Sequence, residues 1–357
     1  MRRAWFLAAL IGALSASTAI AQFADGPDLT RLPDLAGFES PSLLDATDHG
    51  ITLASGYGDS YSGGYGMSAN SGESVESPPS VASYFVGYDA WRGHPDGGWQ
   101  HAGIHVGGQY GTRLGAFSEW TGIGFQIGGS VGVYDWSGTD YRVSSQDQSE
   151  VQGFVTYGLF RHATDECPWS GALLQDWMIN DNFSVFAENP TLYQWRGYLG
   201  YAWTDFTEVG IWGTWRGQAD TRDVPGFGPV PWRPINQFNI FWHHKWVTCG
   251  PDTAMWIGIP EEERLNAAGS LGEYIAGASA NVPLADRLAL YTLVTYMHPS
   301  SSAGAAGAKE DAWDFSIGLS YQFGGSVRSR TVHGQRWAPL LPVANNGYFL
   351  VDASQTY

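Results

Sequence analysis

No run of about 18 or more apolar residues occurs anywhere in the sequence, which excludes transmembrane helices. Cysteine is scarce. Cys167 and Cys249 are too few for a disulfide framework, although in an oxidising compartment they could pair with each other, and no zinc-ligand spacing surrounds them. Charge is scarce as well: Asp, Glu, Lys and Arg make up 15% of residues, with 18 basic against 35 acidic, for a formal net charge of −17. That balance argues against nucleic acid, whose binders present basic faces. The chain also lacks a nucleophile elbow and a Gly-rich phosphate loop, so it reads as neither an enzyme nor a cofactor binder.

What is abundant points to strands. There are 47 Gly, 17 Trp, 18 Tyr and 17 Phe, a mix that favours β-structure over long amphipathic helices. The N-terminus carries an export pattern: Arg2 and Arg3, an apolar run from Ala4 to Leu14, and "AIA" before Gln22. Residues 1–21 are thus expected to be a signal peptide. Residues 22–79 contain "SGYGDSYSGGYGMSANSGESVESPPS". Such a Gly- and Ser-rich leader cannot bury enough apolar surface to offset its ordering entropy, and disorder is expected.

From Ser80 to Phe323 about a dozen segments alternate apolar and polar residues, a periodicity that puts opposite chemistry on the two faces of a strand. "WDFSIGLSYQF" is the cleanest, and "DNFSVFAE" is a weak member. Many segments are long enough for a tilted strand to cross a bilayer, about 9–11 residues. The links alternate too. Thr204–Phe206, Thr248–Asp252 and Leu284–Asp286 are short; Gln218–Pro234, Glu261–Ser270 and Pro299–Asp311 are long. Outer-membrane barrels have this asymmetry between periplasmic turns and external loops. Trp195, Trp203, Trp215, Trp242, Trp246 and Trp313 fall near strand ends on apolar faces, as an interfacial girdle would. The expected fold is all-β, an antiparallel up-and-down transmembrane β-barrel of about twelve strands over 80–323, with a C-terminal extension, 324–357. The runner-up is a soluble secreted β-sandwich.

Ser316, Gly318, Tyr321 and Phe323 form a polar–Gly–aromatic–aromatic pattern. It resembles the final-strand signal of bacterial outer-membrane β-barrel proteins. The resemblance implies insertion into outer-membrane lipid with the barrel-assembly machinery as partner. It departs from that family in having residues 324–357 after the signal. The stretches "QWRGYLGY", "EVGIWGTWRG", "RPINQFNIFWHHKW" and "PVANNGYFLVD" resemble an uncharacterised family of secreted barrel-like proteins, from about Ser80 to the end. That resemblance implies a fold and a compartment, and no activity.

Within such a barrel the wet faces bring polar residues into a lumen. Arg196 and Arg216 sit on the wet faces of adjacent strands, opposite or diagonal. Glu208 lies too far along its strand to serve Arg216. Together with Asn239 and His243 these residues form an expected lumen cluster. Asp314, Glu273 and Glu150 are the candidate acids for the arginines. The cluster is either an anion-attracting constriction or structural filling. His101 and His105 share a wet face but lie about 13 Å apart, too far to ligate one metal, and no metal is expected. His244 points outward. Arg328, Arg330 and Arg336 could meet anionic lipid or an acidic rim, and Tyr348–Val351 could add a strand or plug the mouth. Twelve strands lie between a filled barrel of about 8 and an open one of 16–18. The expected role is a structural barrel or a narrow passive channel for small solutes. The alternative is a surface-binding or adhesion barrel acting through its long loops.

Overall fold

Period-two patterning becomes strand pairing throughout the described part of the chain. The computed structural model describes residues 80–93, 100–135, 149–184, 186–226, 228–246, 250–261, 272–299, 312–328, 332 and 335–352. The signal peptide and leader expected over 1–79 lie outside these residues. The strands are β1 (Ser80–Arg92), β2 (His101–Arg113), β3 (Gly124–Tyr134), β4 (Glu150–Arg161), β5 (Trp169–Asp181), β6 (Thr191–Thr204), β7 (Thr207–Gln218), β8 (Asp220–Val224), β9 (Gly228–Pro234), β10 (Gln237–Lys245), β11 (Asp252–Pro260), β12 (Gly272–Pro283), β13 (Leu288–Pro299), β14 (Ala312–Phe323) and β15 (Val351–Asp352). One short helix, α1 (Ala116–Thr121), lies in the β2–β3 link.

β1 to β7 and β10 to β14 close into a twelve-stranded antiparallel barrel, sealed by β1 against β14 from Ala82↔Phe323 to Arg92↔Trp313. β8, β9 and β15 form a separate three-stranded sheet. The outward face is an apolar band that includes Val106, Leu173, Ile240, Ile257 and Leu319, all exposed. A band of this kind facing away from a closed sheet, with polar side chains inside, is the arrangement of a transmembrane β-barrel. Outward aromatics cluster toward both ends. Trp195 pairs with Trp215 near the long-loop end, while near the short-turn end Trp242 stacks on His244 and Trp246 meets His244 edge-on.

One strand differs from expectation. "DNFSVFAE" is no strand; Phe183 and Glu188 make an isolated bridge across a turn in which Asn182, Ser184 and Ala187 take positive φ. Phe183 and Phe186 are both buried from this turn, Phe183 stacking on Trp91 at 5.5 Å. The strand is β5, immediately before it. The two differences cancel, and the count stays at twelve.

The interior also differs. Its long-loop half holds an apolar core rather than a wet lumen. Phe154, Met178, Leu192 and Trp232 pack there against Val343, Ala344, Phe349 and Val351 from beyond the last barrel strand. The extension both plugs the barrel and adds a strand: Val351 and Asp352 pair with Pro234 and Arg233 of β9.

Candidate functional site

β14 ends at the short-turn end, and the chain then turns back into the lumen. An extended segment inside a barrel carries backbone N–H and C=O groups that water no longer satisfies. Lumen side chains meet them rung by rung. His162 Nε2 lies 2.8 Å from the Ala338 carbonyl. Gln126 donates to Leu341 O at 2.9 Å and accepts from Leu340 N at 3.0 Å. Arg196 donates to Pro342 O at 2.8 Å. Thr156 Oγ1 accepts from Ala344 N at 2.9 Å, and Gln152 Oε1 accepts from the Asn346 side chain, through Nδ2, at 2.8 Å. Gln194 donates to Tyr348 O at 3.0 Å. At the long-loop end Ile235 N donates to Leu350 O at 2.8 Å, and Arg233 Nε donates to Asp352 at 2.9 Å. Glutamine suits this ladder because its amide both donates and accepts without bringing a charge inside.

The predicted arginine cluster divides between two acids, neither of them anticipated. Arg196 and Arg216 are diagonal, since Gln194 pairs with Arg216 and Arg196 with Thr214. Arg196 bonds Asp176 of β5 at 3.0 Å and lies over the Tyr348 ring at 5.0 Å. Arg216 pairs with Glu261, which Asn236 also holds at 2.9 Å. The three acids proposed from the sequence go elsewhere. Asp314 accepts from Asn345 at 3.3 Å, Glu273 lies 3.9 Å from His298, and Glu150 lies 2.9 Å from His101. Arg196 therefore grips the plug through Nη2, while its Nε and Nη1 are buried without a hydrogen-bond partner among the described residues.

Glu208 and His243 do meet. His243 lies between Glu208, at 3.1 Å, and Asp252, which Lys245 also holds at 2.9 Å; Ser170 donates to Glu208. The serine bonds a carboxylate rather than the imidazole, so it lacks the base contact that an activated nucleophile requires. Asn239 donates to Gln237 at 3.1 Å, apart from this group. His105 bonds Tyr291. His101 meets Asp135 at 2.7 Å and Glu150 at 2.9 Å. The donor atoms of His101, Asp135 and Glu150 all lie within 4.8 Å of one another. That nitrogen–carboxylate set could hold a divalent ion; without one, the three close on each other as an ion pair. The sequence hid this group because its members come from β2, the end of β3 and the start of β4.

Ser316 faces the lumen; Tyr321 and Phe323 face outward on the strand that closes the barrel. Cys167 carries a free thiol, half-buried, and Cys249 lies outside the described residues. Arg328 lies 3.7 Å from Asp286 at the rim, and Arg336 over the Trp337 ring; Arg330 lies outside the described residues.

The plug leaves a cavity of about 430 Å³ beside it. Its lining extends from Tyr134 and Phe154 in the long-loop half, past Trp212 and Trp256, to Lys245 and Ser326 at the short-turn end. It forms where the lumen face of the wall carries small residues, Ala254, Ser279, Ala289 and Ser320.

Comparison with known proteins gives a family and a set of barrels. The model of a family described as "Family of unknown function (DUF6666)" matches residues 81–351. No curated protein matches the chain. Among solved structures, an outer-membrane channel from Pseudomonas putida F1 is similar at 11% identity and TM-score 0.43, over 71% of this chain and 98% of that one. A mutant of the TodX monoaromatic hydrocarbon channel is similar at 11% identity and TM-score 0.39, over 69% and 89%. Outer-membrane phospholipase A from Escherichia coli is similar at 9% identity and TM-score 0.38, over 67% and 95%. At these values the likenesses say nothing about activity.

Proposed function

This chain belongs to the DUF6666 family, whose function is unknown, and from the barrel itself we propose a narrow outer-membrane channel for small solutes, held closed by its own C-terminal segment. One observation carries the reading: residues 338–352 run up the lumen on side-chain hydrogen bonds rather than on a continuous strand pairing. A permanent filling would more simply come from bulky inward side chains, as in small barrels. Here a separate segment lies in a lumen of intermediate width, with a vestibule open beside it. The seal is tightest at the long-loop end, where the β8–β9–β15 sheet and the apolar core meet. The expected location is the outer membrane, with lipid around the barrel and the assembly machinery reading β14.

Reconstitution into planar bilayers tests the proposal. The full chain should conduct little, and a chain ending after Gly324 should conduct in larger steps. Thr156→Cys with Ala344→Cys makes the same comparison on the intact chain, since a disulfide there tethers the plug: the oxidised form should conduct less than the reduced form. Folded barrels that stay silent in both experiments would leave only the structural role.

A further inference from the structure

We infer that the vestibule beside the plug is a binding site for an uncharged, hydroxyl-bearing ring compound. This names the solute class for the proposed channel and rests on that reading for its role, while the geometry stands independently of it. At about 430 Å³ the cavity falls in the size range of small-molecule pockets, roughly 300–1,000 Å³.

The cationic groups that line it already have acidic partners, and Asp89 is held by hydroxyls. Lys245 lies 2.9 Å from Asp252, His243 is held between Asp252 and Glu208, and Arg196 bonds Asp176 and the Pro342 carbonyl. Asp89 accepts from Tyr134 at 2.9 Å and also from Ser316. An ionic solute would have to compete with these pairs, of which Arg196–Asp176 is fully buried and costly to break. Asp176 already matches the Arg196 charge through Nη2, so the N–H groups left on that guanidinium can be met by a neutral acceptor such as a hydroxyl oxygen.

Among the described residues, three that line the cavity carry buried polar atoms without a partner: Trp256 at its indole N–H, Gln109 at its side-chain carbonyl, and Arg196 at Nε and Nη1. An unmet buried donor or acceptor destabilises a fold, and a ligand that supplies the missing bond recovers that energy. The tryptophan and arginine nitrogens donate, and the glutamine oxygen accepts. A hydroxyl can do both in return. The walls supply the rest. Trp256 lies over Gly277, where a Cβ would come within 2.2 Å of the indole, so only glycine lets the ring lie against the wall there. Phe85, Phe241 and Leu293 add apolar surface, and Ser279 and Ser320 add hydroxyls. A flat compound with an apolar face and hydroxyl groups at its edge matches both features. Sugars and phenols share that chemistry.

Calorimetric titration of the refolded full-length protein, in a zwitterionic detergent without sugar or ring, separates the two sources. One arm uses glucose and the other phenol; glucosamine, glucuronate and benzoate are the charged counterparts. Saturable binding of glucose or phenol is expected, with the charged counterparts several-fold weaker. Trp256→Phe keeps the ring and removes the N–H, so affinity should fall roughly 3–10-fold, the range for one hydrogen bond. Gln109→Leu should act similarly, and Ser320→Phe should abolish binding by filling the cavity. If Ser320→Phe fails to refold, the near-isosteric Trp256→Phe still decides. The inference is overturned if neither neutral ring saturates, if a charged counterpart binds as tightly, or if Trp256→Phe and Gln109→Leu leave affinity unchanged. Conductance by the truncated chain, with no ring binding by the full-length protein, would sink this inference alone. Ring binding with no conductance in any form would sink the channel reading alone.

Discussion

Removing the Arg196 guanidinium should loosen the plug and weaken the barrel together. Arg196 and Asp176 are almost fully buried, at 1% and 0% exposure. Asp176 also accepts from Thr156 at 2.7 Å and Gln194 at 3.3 Å, so its carboxylate is bound on several sides. Arg196→Met leaves that carboxylate inside without its counter-ion. Breaking one side of a buried pair costs about 3–5 kcal/mol. The lost hydrogen bond to Pro342 O adds about 1 kcal/mol, and the Tyr348 contact is lost with it. Asp176→Leu should cost a similar amount, since it strands the guanidinium. The double variant Arg196→Met/Asp176→Leu removes both charges into surroundings that already include Leu174 and Met178, both fully buried. It should be far less damaged than the sum of the singles, with a coupling of about 2 kcal/mol or more. Urea unfolding in micelles, followed by tryptophan fluorescence, gives the four free energies of the cycle. Limited proteolysis reports the plug separately, and the tail should be cut faster in both Arg196 variants. Additive costs, or a loss below about 1 kcal/mol for Arg196→Met, would refute the buried-pair account.

Three further perturbations address other parts of the barrel. Gly318→Val should block closure, because a Cβ there would lie 2.3 Å from the Val86 carbonyl of β1; heat-modifiable gel mobility after refolding in purified lipid should show a reduced folded fraction. Normal refolding would mean that Gly318 serves only recognition by the assembly machinery. In the β4–β5 turn, burial lowers the pKa of His162 below its ordinary 6.5, outweighing the raising effects of the Ala338 carbonyl and of Glu208. The unfolded chain then binds this proton before the folded one does, so the stability it contributes is complete above about pH 6.5 and is lost as pH falls below that value toward the folded pKa. Urea midpoints should fall on acidification from about pH 7.5, and His162→Gln should flatten that slope; an unchanged slope would show that other groups carry it. Asp352→Ala removes the acid that meets buried Arg233 at the end of the plug. Hydrogen exchange at Val351 and Ile235 should speed up while the β1–β14 seam stays protected, and equal loss at both places would contradict a local latch.

The barrel was legible because a bilayer imposes one rule on every outward residue. Phe315, Ile317, Leu319, Tyr321 and Phe323 could be read from one strand alone, as could the alternation of link lengths. β5 escaped because its two faces blur that contrast. Its lumen side carries buried Leu174 and Met178, and its outer side carries Gly171 and Gln175. The apolar lumen residues are there because part of the interior is a protein core. Missing β5 then hid Asp176, so the acid for Arg196 was sought across the barrel instead of on the neighbouring strand. The plug was hidden for a related reason. Residues 335–352 follow no helix or strand period, since each backbone group is met by whichever lumen side chain lies nearest. Their one advance signal lay in the barrel strands: Gln126, Gln152, Gln194 and Gln237 all point inward, and all are buried. An aqueous pore gives inward residues water as a partner and places no particular demand for an amide. Four buried glutamines instead ask for something with both donors and acceptors inside the lumen, and a peptide backbone is the partner that fits them.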